Sequence, residues 1–167
     1  KARFVRFTIQ QSNRGQPCID ELEIFSGSEN IARASRGAKA SSNGDFKHPL
    51  HKLAHINDGK YGNTKSWIAA KTTGWVQIEL PKTVSIDRIE WARDREGKYS
   101  DRLAVEYRIE VAMKVGEWTI VASSNDRKPF SEGVATGPRY KFSGLPEAEA
   151  KRGRKLLASL KETEKQL

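Results

Sequence analysis

Residues 56–80 read INDGKYGNTKSWIAAKTTGWVQIEL. In the last part Val76, Ile78 and Leu80 alternate with Trp75, Gln77 and Glu79. That period of two marks a half-buried β-strand. The first part is polar and broken by Gly59 and Gly62, yet it carries Trp67. A loop that holds a large aromatic ring is either pinned to a core or folded around something.

The same period runs outward from this stretch. In RFVRFTI, Val5, Phe7 and Ile9 share one face, with Arg6 and Thr8 on the other. In EYRIEVAM, Tyr107, Ile109, Val111 and Met113 oppose Arg108 and Glu110. ELEIF, IDRIEW and EWTIVA read similarly. Short alternating strands separated by turn residues predict an all-β, antiparallel β-sandwich or barrel, and no helical period interrupts them to build a parallel α/β sheet.

The end of the chain is different. LPEAEAKRGRKLLASLKETEKQL lacks strand character, and Leu156, Leu160 and Leu167 recur near helical spacing, with Leu157 beside them. Glu147 and Glu149 sit where a helix dipole favours acids. The reading is a sandwich over 1–144 and a C-terminal segment over 145–167, helical from 147 to 166. The helix either links to a neighbouring domain or packs on the body.

A chain of 167 residues suits one domain with an appendage. It begins at Lys1 without a signal peptide, as an excised piece of a longer protein would. No apolar run approaches the roughly 18 residues of a membrane span. Cys18, the single cysteine, has no intramolecular partner and lies among apolar positions, so an inert buried thiol is expected. The formal charge is +9, most of it on the body. Such a balance suits anionic partners or serves solubility alone.

Residues 40–123 carry an ordered set of features: Ala-Ser-Ser, Asp58-Gly59, Trp67, GWVQIEL, IDRIEW, YRIEV and the turn Gly116-Glu117-Trp118. This set resembles the factor 5/8 type C, or discoidin, family, which includes the carbohydrate-binding modules of family 32. The resemblance implies a jelly-roll-like antiparallel sandwich. Members usually close with a strand pair of the type ARYVRL…ISELEVY. Here the matching pair, ARFVRFTI…IDELEIF, comes first, at residues 2–25. The chain therefore looks like a circular permutant; the alternative is that residues 2–25 are the tail of a preceding domain.

The resemblance also gives the Asp-Gly to Trp loop a role, since in the family it commonly wraps a structural Ca²⁺. Calcium takes six to eight hard oxygens. Asp58 is the carboxylate, Ser66 or Thr64 the hydroxyl, and carbonyls near His55, Tyr61 and Asn63 complete the set. Glu21 matches the family's extra ligand in the closing strand pair. The loop is longer than the common family form, so its hydroxyl ligand stays open. The alternative is a plain turn with Trp67 as core filler.

Two further loops are candidates for a ligand surface. SSNGDFKHPLHK offers Phe46, His48 and His51, with Asn43 and Asp45. ARDREGKYSDRL offers Arg93, Asp94, Arg95, Lys98, Tyr99, Asp101 and Arg102. Arginine forks suit carboxylate or sulfate, and a tyrosine ring can stack on a sugar. The competing expectation is a solvated loop with internal pairs, Arg93 with Asp101 and Asp94 with Arg102. His48 and His51 lack a third zinc ligand in view.

Enzyme motifs are missing: no Gly-x-Ser-x-Gly, no His-Glu-x-x-His, no phosphate loop. Asp20 and Glu21 are expected on opposite faces of one strand, which disqualifies them as a glycosidase pair. The expected function is a non-catalytic carbohydrate-binding module for an extracellular polysaccharide, covalently joined to neighbouring domains of a parent protein; the basic body and the arginine loop point to an acidic (sulfated or uronic) polymer over a neutral one. The expected location is extracellular, cell-surface or periplasmic. The alternative is a discoidin-type adhesion module for a protein or an anionic membrane. Phe46, Leu50 and Phe130 are too few for a confident membrane spike, and no aromatic strand platform for nucleic acid is evident.

Overall fold

The computed structural model describes residues 1–128, 130–131, 142 and 146–166. Leu145 and Leu167 of the C-terminal segment lie outside these. The chain forms two compact units, 1–135 and 136–167.

The first unit is an antiparallel sandwich. Its strands are β1 (Ala2–Ser12), β2 (Cys18–Ile19), β3 (Glu21–Ser26), β4 (Glu29–Asn30), β5 (Lys39–Ser42), β6 (Trp67–Ile68), β7 (Gly74–Val84), β8 (Arg88–Ala92), β9 (Ala104–Ala112) and β10 (Thr119–Ser123). One sheet has the order β10-β9-β1-β7-β5 and the other β4-β3-β8; β2 and β6 pair separately. The N-terminal strands are part of this body. β1 lies between β7 and β9, and β3 pairs with β8.

The alternation seen in the sequence explains the core. Val5, Phe7 and Ile9 of β1 meet Val76, Ile78 and Leu80 of β7 and Leu22 and Ile24 of β3, all 0–1% exposed. Phe7, Trp91 and Tyr107 bridge the two sheets, with ring centroids 4.9–5.2 Å apart. On the other face of the five-stranded sheet, the Arg6 guanidinium lies 4.3 Å from the Trp75 ring and 4.1 Å from the Trp118 ring, and bonds Gln77. Those indoles are covered from within, so their presence opposite the core has a structural cause.

Two details depart from the simple period. β9 ends at Ala112, which puts Met113 in the following turn and half in solvent. A register irregularity between Ile120 and Ala122 leaves Ile120 and Val121 both exposed on edge strand β10.

In the second unit, α1 spans Glu147–Gln166. Phe142, Gly153, Leu156, Leu157 and Leu160 line a cavity of about 350 Å³. A Cβ at 153 would collide with the Phe142 ring, which explains a glycine inside a helix. Among the described residues, the core cluster of the sandwich is made of first-unit side chains. A chain ending at Gly144 is therefore expected to melt in the same cooperative transition as the full chain, followed by circular dichroism. An insoluble product would make the helix part of the core.

Candidate functional site

Strand register gathers the candidate loops at one end of the sandwich. Ser12 faces Ala104, Ile9 faces Gly74, Ser42 faces Val76 and Glu21 faces Ala92. The loops 13–17, 43–52 and 93–103 leave from those positions, and loop 58–66 runs into Trp67, which faces Ile19 of β2.

Trp67 is fully buried, and its indole N–H donates to Asp45 Oδ1 at 2.7 Å. Asp45 also accepts from Ser42 Oγ at 2.6 Å. The ring thus pins the loop to the core, whatever the loop also holds. Gly59 and Gly62 have φ of 79° and 96°. At Gly62 the backbone conformation selects glycine; a Cβ there would meet only the end of the half-exposed Glu96 side chain, which can move aside.

Beneath this loop lie three carboxylates from one short stretch. Asp20 and Glu21 are 0% exposed and Glu23 4%. The chain breaks its pairing at Asp20, between β2 and β3, so Asp20 and Glu21 do not point apart as strict alternation requires. Both turn to the same loop: Glu21 Oε1 accepts the Gly59 N–H at 3.0 Å and Asp20 Oδ2 the Gly62 N–H at 3.1 Å. Glu23 accepts the Tyr61 hydroxyl at 3.0 Å, and its second oxygen lies 2.6 Å from the Arg95 guanidinium.

Burial, with Asp58, Glu23 and Asp20 adding repulsion, pushes the Glu21 carboxyl up to about 8. Burial raises Asp20 as well, against backbone bonds from Arg95 and Gly62. Glu21 Oε2 is buried without a hydrogen-bond partner.

The candidate calcium ligands fall into two networks. Glu21 and Asp58 belong together, close enough that the charge of one raises the pKa of the other. Asp58 Oδ1 accepts the Lys60 N–H at 2.8 Å. Tyr61 is anchored on Glu23. Ser66 and Asn63 belong to the other network: Ser66 Oγ donates to the Asn63 carbonyl at 2.6 Å and lies 2.8 Å from His51 Nδ1. His55 Nδ1 is buried without a partner. Among the described residues, no three His, Cys, Asp or Glu side chains converge as a metal group. The donors that do fit calcium are hard oxygens: the orphaned Glu21 Oε2, Asp58 and the carbonyls of the loop.

The arginine loop divides in the same way. Arg93 is only 5% exposed. Its donors reach Asp101 O at 2.6 Å, Asp101 Oδ1 at 2.8 Å and Asn63 Oδ1 at 2.8 Å, with Cys18 Sγ at 3.4 Å. It organises the loop and presents little charge to solvent. The expected Arg93–Asp101 pair forms, but Asp94 does not take Arg102. Asp94 Oδ2 instead accepts the N–H groups of Lys98 and Tyr99, both at 2.9 Å. Arg102, the one non-glycine described with positive φ, bonds Gln16 and lies 3.5 Å from Asp101.

Arg95 and Tyr99 remain accessible, Tyr99 at 50%. Loop 43–52 carries a row of rings, Phe46 stacked 6.1 Å from His48, and His48 4.9 Å from His51. Burial first, then His48, Arg93 and Arg102, hold His51 below the usual imidazole range, so it is neutral at pH 7. Cys18 is buried and its thiol is raised by that burial.

Sequence reading missed Asp20, Glu23 and the cross-links they make. The signal was present in IDELEIF: three acids in a strand whose other positions are core. Comparison of the chain with models of known protein families, with curated proteins and with solved structures finds no match.

Proposed function

We propose that this chain is a non-catalytic carbohydrate-binding module of the discoidin type, circularly permuted, that holds an acidic extracellular polysaccharide near other domains of its parent protein. The observation that supports it is the set of accessible groups on the loops at one end of the sandwich: the stacked Phe46 and His48 rings on loop 43–52, and Arg95, Tyr99 and Arg102 on loop 93–103. Rings stack on the apolar faces of sugars, while guanidinium groups take sulfate or uronate. Arg95 gives Nη2 to Glu23, while its Nη1 lies 4.0 Å from Glu90 Oε2, beyond hydrogen-bond reach, and can turn to an anion. A Ca²⁺ on Glu21 and Asp58 is the structural cofactor of this reading.

The test is a glycan array of sulfated, uronic and neutral polysaccharides, with anionic vesicles and duplex DNA alongside. Binding to a sulfated chain is expected to fall steeply with salt, because exposed charges are screened within about 10 Å at 0.1 M and about 3 Å at 1 M. Arg95→Ala should make that dependence shallower. Tyr99→Ala should weaken binding about ten-fold at every salt concentration, or ~1.4 kcal/mol. Salt-independent binding to a neutral glycan would reject the acidic ligand and keep the module. Binding to vesicles or a protein partner with no glycan bound would replace the reading with an adhesion module.

A further inference from the structure

The loop 58–66 and the arginine loop share buried partners. Asp20 Oδ2 accepts the Gly62 N–H at 3.1 Å and the Arg95 N–H at 2.6 Å. Glu23 holds the Tyr61 hydroxyl with one oxygen and the Arg95 guanidinium with the other. The Arg95 guanidinium also stacks 4.5 Å from the Tyr61 ring centroid. Asn63 Oδ1 takes Arg93 at 2.8 Å. A single fully buried oxygen therefore fixes the backbone of both loops at once. Neither N–H can leave without stranding a buried group, which costs about 1–3 kcal/mol.

We propose that Asp20 is the positioning residue that joins these loops, so that a divalent cation in loop 58–66 and an acidic glycan on loop 93–102 tighten each other's binding. This rests on the glycan and calcium reading above. The sign follows from the charges. Glu21, the oxygen donor toward the cation, and Glu23, the partner of Arg95, lie two positions apart on β3 and both hold loop 58–62. A cation there draws on the field that now holds Arg95 against Glu23. The Arg95 guanidinium is then freer to meet an anion, while its backbone stays fixed by Asp20. Coupling of this kind is reciprocal and typically spans about 5- to 150-fold.

The test uses the full chain with calcium chloride and heparin as probes, at constant ionic strength. Titration calorimetry should show calcium tightening heparin at least about five-fold, and heparin tightening calcium by the same factor. Calcium alone should slow amide exchange in 93–99 as well as in 58–66. Asp20→Asn keeps an oxygen for both N–H groups and should retain the coupling. Asp20→Ala should reduce the factor to about one. Gly62→Ala, which strains the loop at a φ of 96° beside the N–H that Asp20 holds, should do the same if Asp20→Ala does not fold.

Calcium and heparin that both bind with a factor of one, or a factor that persists in Asp20→Ala and Gly62→Ala, overturn the coupling alone. No calcium binding overturns it with the cation reading. No heparin binding overturns it with the glycan reading.

Discussion

Calcium at a hundred times its dissociation constant is expected to raise the melting temperature of this protein by about 5–10 °C, and Glu21→Gln is expected to abolish that rise. A ligand at that excess, bound only by the folded state, adds about 2.7 kcal/mol, and a domain of this size gains about 2–4 °C per kcal/mol. Glu21 is the residue to test. It is fully buried, its Oε2 has no hydrogen-bond partner, and Asp58, Glu23 and Asp20 all repel its charge.

The same group sets a pH dependence of opposite sign in metal-free protein. The carboxyl goes from an ordinary 4.5 when unfolded to about 8 when folded, chiefly through burial. Between those values the folded state holds a proton that the unfolded state has lost. Metal-free stability therefore falls as pH rises from about 4.5 to about 8 and levels off above, by on the order of 5 kcal/mol across the window. Glu21→Gln should flatten this slope and stabilise the metal-free protein at pH 8. In wild type, calcium must displace the proton, so its affinity should climb with pH up to about 8. A Glu21→Gln variant that keeps the calcium response would remove Glu21 from the site, leaving loop 58–66 as a turn pinned by Trp67.

The sandwich was legible in the sequence because its core depends on period two, and the strands follow it from β1 to β9. The placement of residues 2–25 was legible too, because the second half lacks strands to close the sheets. The site was less legible, for a physical reason. Loop 58–62 lies over the polar face of strand β3, so that face is not a solvent face. Glu21 and Glu23 look like outward residues in the pattern but are buried beneath loop 58–62. Period two reports which side of a strand a residue takes, and says nothing of what covers that side. Arg93 follows the same logic. A composition of arginines, acids and a tyrosine fits either an exposed charged loop or an internal clamp, and only the fold distinguishes them.

Arg93→Ala is expected to lower stability by about 3 kcal/mol, a fall in melting temperature of about 6–12 °C. The guanidinium is buried and makes three close bonds, two to Asp101 and one to Asn63. Removing it strands the Asn63 amide oxygen and the Asp101 carbonyl. The Asp101 carboxylate is 41% exposed and rehydrates, which keeps the loss at the low end of the range for a broken buried pair. Arg93→Lys should recover only part, because a single ammonium cannot span Asp101 and Asn63 as a planar fork does. Glycan binding separates this residue from its neighbour two positions on. Arg95→Ala removes an accessible charge, so it should reduce the salt slope. Arg93→Ala disorders the loop, so it should weaken binding while leaving the slope unchanged. Full stability of Arg93→Ala together with a shallower salt slope would show that Arg93 turns outward to the ligand, and that the clamp is not what holds this loop.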